Sequence, residues 1–135
     1  MDYESVSDFE INKAVAESVF PDDAIITTNV NGYPPKFIND EKGKKAFYEI
    51  DKMLNPEKYK DSVINIRSRG MSFVRDFCNN PSDAWPIIMK NKITVGPQEN
   101  DIWGAFDTSV ENTYDDKNPL RAAMIVFLMA AKEQE

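Results

Sequence analysis

Asn79, Asn80 and Asp83, with the two tryptophans Trp85 and Trp103, are the residues of this chain best suited to hold a ligand. Short amide and carboxylate groups beside indole faces suit a small, flat molecule, or a partner surface with one polar edge. The same groups have an architectural reading. Asn and Asp side chains organise turns and helix caps, and indoles fill cores.

Catalytic chemistry has little to build on. The 135 residues include no histidine and one cysteine, Cys78. This removes Ser-His-Asp and Cys-His catalysis, histidine-ligated zinc and a histidine pH switch. A lone thiol forms neither an intramolecular disulfide nor a thiolate metal centre, and a reducing cytosol is the natural compartment. With no base identifiable beside it, Cys78 reads as a small packed hydrophobe. Adjacent carboxylates stand at Asp22-Asp23, Asp40-Glu41 and Asp115-Asp116. A magnesium or acid–base role would require further acids converging on them. The five glycines do not cluster into a phosphate loop. The expectation is a non-enzymatic protein with no cofactor and no metal.

Charge is segregated. Residues 1–35 carry one lysine and seven acids, residues 36–75 ten cations and six acids, and residues 76–135 five cations and ten acids. The overall −7 opposes non-specific nucleic-acid binding, which needs several cations on one face. The longest apolar run, Ala122 to Ala131, has ten residues, about half of what a membrane span needs. The N-terminal Met1-Asp2-Tyr3-Glu4 lacks the basic and apolar regions of a signal peptide. A soluble, cytoplasmic protein is expected.

The elements that would position these residues can be read in order. Ser7 and Glu10 form a capping box, with Val6 and Ile11 as staple. Ile11, Ala14, Val15 and Val19 follow at helical spacing until Pro21. Ala24 to Val30 reads as a strand and Asn31-Gly32 as a turn. Tyr33-Pro34-Pro35 cannot continue a central strand, and Phe37-Ile38 reads as a short return strand. Gly43 to Leu54 suits a helix with Phe47, Ile50 and Leu54, or Ala46, Ile50 and Met53, on one face. Val63 to Ile66 and Met71 to Phe77 read as strands around a Ser68-Arg69-Gly70 turn.

Asn79-Asn80-Pro81 is a turn, and Ser82 or Asn80 caps a helix to about Lys90. Pro86 is expected in or near its first turn, where a missing N–H is tolerated, with Trp85 carried into the core. Strands over 93–96 and 102–107 form a hairpin through Pro97–Asp101, and Thr108 to Lys117 reads as a polar loop. Asn118 caps a last helix with Pro119 at its first position. That helix is apolar almost all round, as expected of one buried in the core or at a subunit contact, so a homodimer is compatible with it.

Four stretches carry a family resemblance: Ser7-Asp8-Phe9-Glu10-Ile11-Asn12-Lys13 with Val15-Ala16; Cys78 to Ile88; Trp103 with Ala105; and Asn118-Pro119-Leu120 to Met129. Together they resemble the NinX-like proteins of lambda-like phages and prophages, a domain of unknown function. The resemblance implies a phage-encoded accessory protein in the cytoplasm of an infected or lysogenic bacterium, and transfers no catalytic residue. The expected fold is α+β: one domain over 1–135 with a variable basic segment at about 36–70. A small antiparallel sheet is packed by about three helices, the C-terminal one buried. The expected function is an interaction protein that binds or inhibits a host protein, an anti-defence role among the candidates. The alternative is a module that sequesters a small nucleotide-like ligand.

Overall fold

A computed structural model describes residues 2–28, 40–56 and 62–133. The elements run α1 (Asp8–Val19), β1 (Ile25–Thr28), α2 (Glu41–Leu54), β2 (Ile64–Ser68), β3 (Met71–Arg75), α3 (Pro81–Lys90), β4 (Thr94–Pro97), β5 (Trp103–Phe106), β6 (Thr113–Asp116) and α4 (Pro119–Glu133). The class is α+β, as expected. The strands divide into two antiparallel three-stranded meanders, β1-β2-β3 and β4-β5-β6, rather than one sheet. The turn expected at Asn31-Gly32 and the return strand at Phe37-Ile38 lie outside the described residues.

Local signals explain most boundaries. The Ser7 hydroxyl accepts from the Glu10 amide at 3.2 Å and starts α1. The Asp40 carboxylate accepts from the Gly43 amide and starts α2. Arg69 and Gly70 both take positive φ, 52° and 78°, forming the two-residue connection between β2 and β3 with Ser68 opposite Met71. Glycine adopts this backbone freely, whereas arginine there is strained.

The two meanders are joined through helices. α1 packs on β1 and β2, α4 packs on all three strands of the second sheet and on α3, and α1 and α4 pack on each other. One continuous core results, with Phe9, Ile11 and Val15 from α1, Ile26, Ile64 and Ile66 from the first sheet, Ala105 from the second, and Ala122 to Val126 from α4. Five consecutive buried residues on one helix require neighbours on every side. α1, α3 and the second sheet supply them, so packing within the chain accounts for the apolar wrapping of α4.

Two expectations are revised, and the apolar face of α2 takes a direction that spacing left open. Thr113–Asp116 is a strand rather than part of a loop; it pairs Tyr114 with Ala105 and Asp116 with Trp103 at the sheet edge. Its residues alternate exposed and half-buried, and only Tyr114 supplies apolar bulk, so the alternation was hidden by its acids. Pro86 is the sixth residue of α3, beyond the first turn. Its missing N–H leaves the Ser82 carbonyl without its helical donor. On α2 most of the apolar positions face outward: Ala46, Ile50, Met53 and Leu54 are exposed, Met53 at 82%, while Phe47 is half-buried and Asp51 is buried.

Val110 sits at φ 62° in the Asp107–Asn112 loop with its side chain exposed. A β-branched residue in the left-handed region costs on the order of 1 kcal/mol with no packing here to offset it. Val110→Asn should therefore raise stability by about 1 kcal/mol, read as a higher urea midpoint at unchanged m-value. A lower midpoint would show that the valine side chain contributes packing in the native state.

Candidate functional site

The polar residues of the Cys78–Asp83 region meet groups from both ends of the chain. Asn12, one turn into α1, has no solvent exposure. Its amide donates to the Ser62 carbonyl at 2.7 Å and to Asp76 Oδ1 at 2.9 Å, and its oxygen accepts from the Cys78 amide at 3.0 Å. The Ser62 hydroxyl donates to Asp76 Oδ2 at 2.8 Å. These bonds fasten the entry to β2 and the exit of β3 onto α1.

The N-terminus of α4 closes the network. Asn118 Oδ1 caps the helix by accepting from the amides of Leu120 and Arg121, at 2.9 and 3.2 Å. Its amide donates to the Cys78 carbonyl at 2.7 Å and to Asn79 Oδ1 at 3.1 Å. Arg121 donates through Nε to Asp8 Oδ1 at 2.9 Å, through Nη1 to Asp116 Oδ2 at 2.7 Å, and through Nη2 to the carbonyls of Tyr3 and Val6, both at 2.8 Å. Burial alone would lower the Arg121 pKa, but the Asp116 hydrogen bond and the Asp116 and Asp8 charges hold it above the ordinary value. The guanidinium is a permanent cation tying α4 to α1, to β6 and to the segment before α1.

The five residues singled out from the sequence separate into two groups. Asn79, Asn80 and Asp83 serve the architecture. The Asn79 amide stands 3.2 to 3.3 Å from Asp8, Ser62 and both oxygens of Asp76. Asn80 caps α3 by accepting from the Ser82 amide at 2.9 Å. Asp83 accepts from the Asp76 amide at 2.8 Å and lies 3.8 Å from Arg75. Trp85 and Trp103 are the second group, and neither fills the core. Trp85 is 57% exposed and Trp103 36%. α3 buries Ala84, Ile87 and Ile88 and leaves Trp85 exposed. Trp103 stands where β5 begins, opposite Pro97 and Asp116.

Asp8, Asn12, Asp76, Asn118 and Arg121 belong with Asn79, yet their spatial role was missed. Arg121 is the one charged residue in α4 before Lys132, and Asn12 stands beside Ile11 on the inward side of α1. A polar residue on an apolar face was the available signal. Asn118 was legible as a cap but not as the partner of Asn79, 39 residues away.

Cys78 is buried beneath this network, its sulfur 3.9 Å from the Asp8 carbonyl. Burial first, and then the Asp8 carboxylate, pushes its thiol pKa far above the ordinary range. Among the described residues no three His, Cys, Asp or Glu side chains are grouped to hold a metal. A small open cleft of about 220 Å³ lies elsewhere, against α1, β1 and α2, lined by residues that include Lys13, Glu17, Asp22, Ile25 and Glu49. None of the five sequence candidates lines it.

These features define a small α+β domain of two β-meanders joined through packed helices, with a polar joint at one end and indoles on its surface. A family model described as bacteriophage P22 NinX matches residues 2–131, and the chain belongs to that family. The match runs through the basic middle segment as well as the stretches at either end. Comparison with curated proteins and with solved structures finds no match. Among the described residues no helix is long and apolar enough to cross a membrane.

Asn12→Ala leaves the Cys78 N–H and the Ser62 carbonyl without their side-chain partner and removes one of the two donors to Asp76 Oδ1, and should destabilise the protein by about 3 kcal/mol in chemical denaturation. A loss below about 1 kcal/mol would mean that water replaces the amide at little cost. Cys78 should react with an aromatic disulfide reagent at a small fraction of its rate in denaturant, because the thiolate is the reacting form. Equal rates would show that the joint opens readily.

Proposed function

We propose that this protein acts without catalysis, by binding another protein through the exposed face of α3, and that its target is a protein of the bacterial host. The observation that carries the reading is the pair Trp85 and Met89, one helical turn apart and 57% and 60% exposed. Residues at i and i+4 share a helix face. Tryptophan is among the residues that dominate binding energy at protein interfaces. A rigid helix presents it with little ordering left to do on association.

The support for a protein rather than a small molecule is the openness of this face. Small-ligand sites enclose most of their ligand, whereas the Trp85 indole has more than half its surface in water. The support for binding rather than catalysis is chemical. The chain has no histidine, its one thiol is sealed in the core, and the Asp8, Asp76 and Asp116 carboxylates are occupied by hydrogen bonds. Membership of a phage family makes a host factor the natural target, a component of antiviral defence among them.

Affinity capture from lysate of a bacterial host, with wild type and Trp85→Ala in parallel, tests the reading. One specific partner should be recovered by wild type, and its affinity should fall at least about tenfold in Trp85→Ala, as expected of an aromatic hot spot. The variant should keep the wild-type melting temperature, since an exposed side chain contributes little to folding. A partner held undiminished by Trp85→Ala, or no specific partner under several conditions, would count against it.

A further inference from the structure

The chemistry of the partner is written in what surrounds Trp85 and Met89. The exposed arc of α3 consists of Pro81, Ser82, Trp85, Pro86, Met89 and Lys90. It carries no carboxylate, in a chain with 23 acidic and 16 basic residues. The one acid of the helix, Asp83, is turned inward onto the Asp76 amide and Arg75. Beyond the helix end stands Lys92, also exposed. Neither Lys90 nor Lys92 is held by an ion pair among the described residues.

Lys92 holds its place against a backbone preference. α3 ends in a Schellman turn: the Ile93 amide donates to the Ile88 carbonyl at 3.0 Å and the Lys92 amide to the Met89 carbonyl at 3.3 Å. The residue at the position of Lys92 must take the left-handed conformation, and its φ is 52°. Glycine occupies that position at no steric penalty, and any other side chain except asparagine is disfavoured there. Lys90 offsets the negative end of the helix dipole, which accounts for one cation. A second cation in a strained conformation beside it is not accounted for by the fold.

We infer that the α3 face takes an acidic segment of a partner protein: an aromatic or aliphatic side chain packs on Trp85 and Met89, and carboxylates reach Lys90 and Lys92. The inference rests on the proposal that this face is the binding surface, and adds the charge of what binds there. Unpaired cations flanking an apolar centre speed the encounter with an anionic partner and fix its orientation. Nucleic acid is the other anionic macromolecule able to stack on an indole. It is disfavoured because two lysines on a protein of net charge −7 fall short of the several phosphate contacts such binding requires.

Selection from a random-peptide library displayed against the whole protein tests the inference. Enriched peptides would then be titrated into wild type, Trp85→Ala, Lys92→Gly and Lys90→Glu/Lys92→Glu at low and high salt, with a single-stranded oligonucleotide as a separate ligand. The expected peptides hold an excess of Asp and Glu around one aromatic or large aliphatic residue. Their affinity should fall at least about tenfold in Trp85→Ala and about tenfold in the double charge reversal, and weaken in salt. Lys92→Gly should bind these peptides less tightly while melting at a higher temperature than wild type, a combination that a purely structural lysine does not produce.

Peptides that need Trp85 but show no acidic excess and ignore the charge reversal would overturn the inference and leave the α3 surface standing. Peptides indifferent to Trp85→Ala, or no enrichment at all, would overturn the α3 surface itself. Trp85-dependent binding of the oligonucleotide tighter than that of any peptide would replace the protein partner with nucleic acid.

Discussion

The buried amide of Asn12 is the contact on which the rest of this architecture depends. It is one side chain with no access to water, and it satisfies a carbonyl before β2, a carboxylate after β3 and the amide of Cys78. A buried polar group missing any of these partners would carry a penalty comparable to a sizeable fraction of a domain's net stability. The three stretches must therefore arrive together. Once they do, the Cys78 carbonyl and the Asn79 side chain are aligned to receive Asn118, the cap of α4. Arg121 follows one turn later and fastens that helix back onto Asp8.

This order explains why the surface helix α3 can be both rigid and exposed. Its start is fixed by Asn80 and by the contact of Asp83 with the Asp76 amide, and its inner side by Ala84, Ile87 and Ile88 against the core. The indole of Trp85 needs no support of its own. A missing hydrogen bond at Pro86 and a strained lysine at the helix end are tolerated because the packing on the other side over-determines the conformation.

Local chemistry was legible in the sequence, and long-range chemistry was not. Ser7, Asn118 and the pair Asn80 and Ser82, of which Asn80 is the cap, each announced a helix start, because a cap is written within four residues. The class α+β followed from strands joined by short turns between separately capped helices. The division into two meanders did not, since strand partnership is decided between distant segments. β6 escaped notice because only Tyr114 of its four residues supplies apolar bulk. Spacing on α2 offered Phe47, Ile50 and Leu54, or Ala46, Ile50 and Met53, as one face, and cannot show which way such a face turns. Trp85 was expected inside because indoles usually are. The polar joint was beyond reach because Asn12, Asp76 and Asn118 acquire a shared purpose only when folded.

The reach of Arg121 carries a further consequence for how the protein is made. Its bond to Asp8 spans 113 positions and its bond to the Tyr3 carbonyl 118. During synthesis α1 emerges before α4, with its inward residues lacking the α4 surface that will cover them. The first meander can form on it, but the joint waits for the helix that is translated last of all these elements. Contacts of such separation in sequence slow folding and leave apolar surface open in the interim. Until α4 has left the ribosome, the face of α1 that it covers stays open to non-specific contacts.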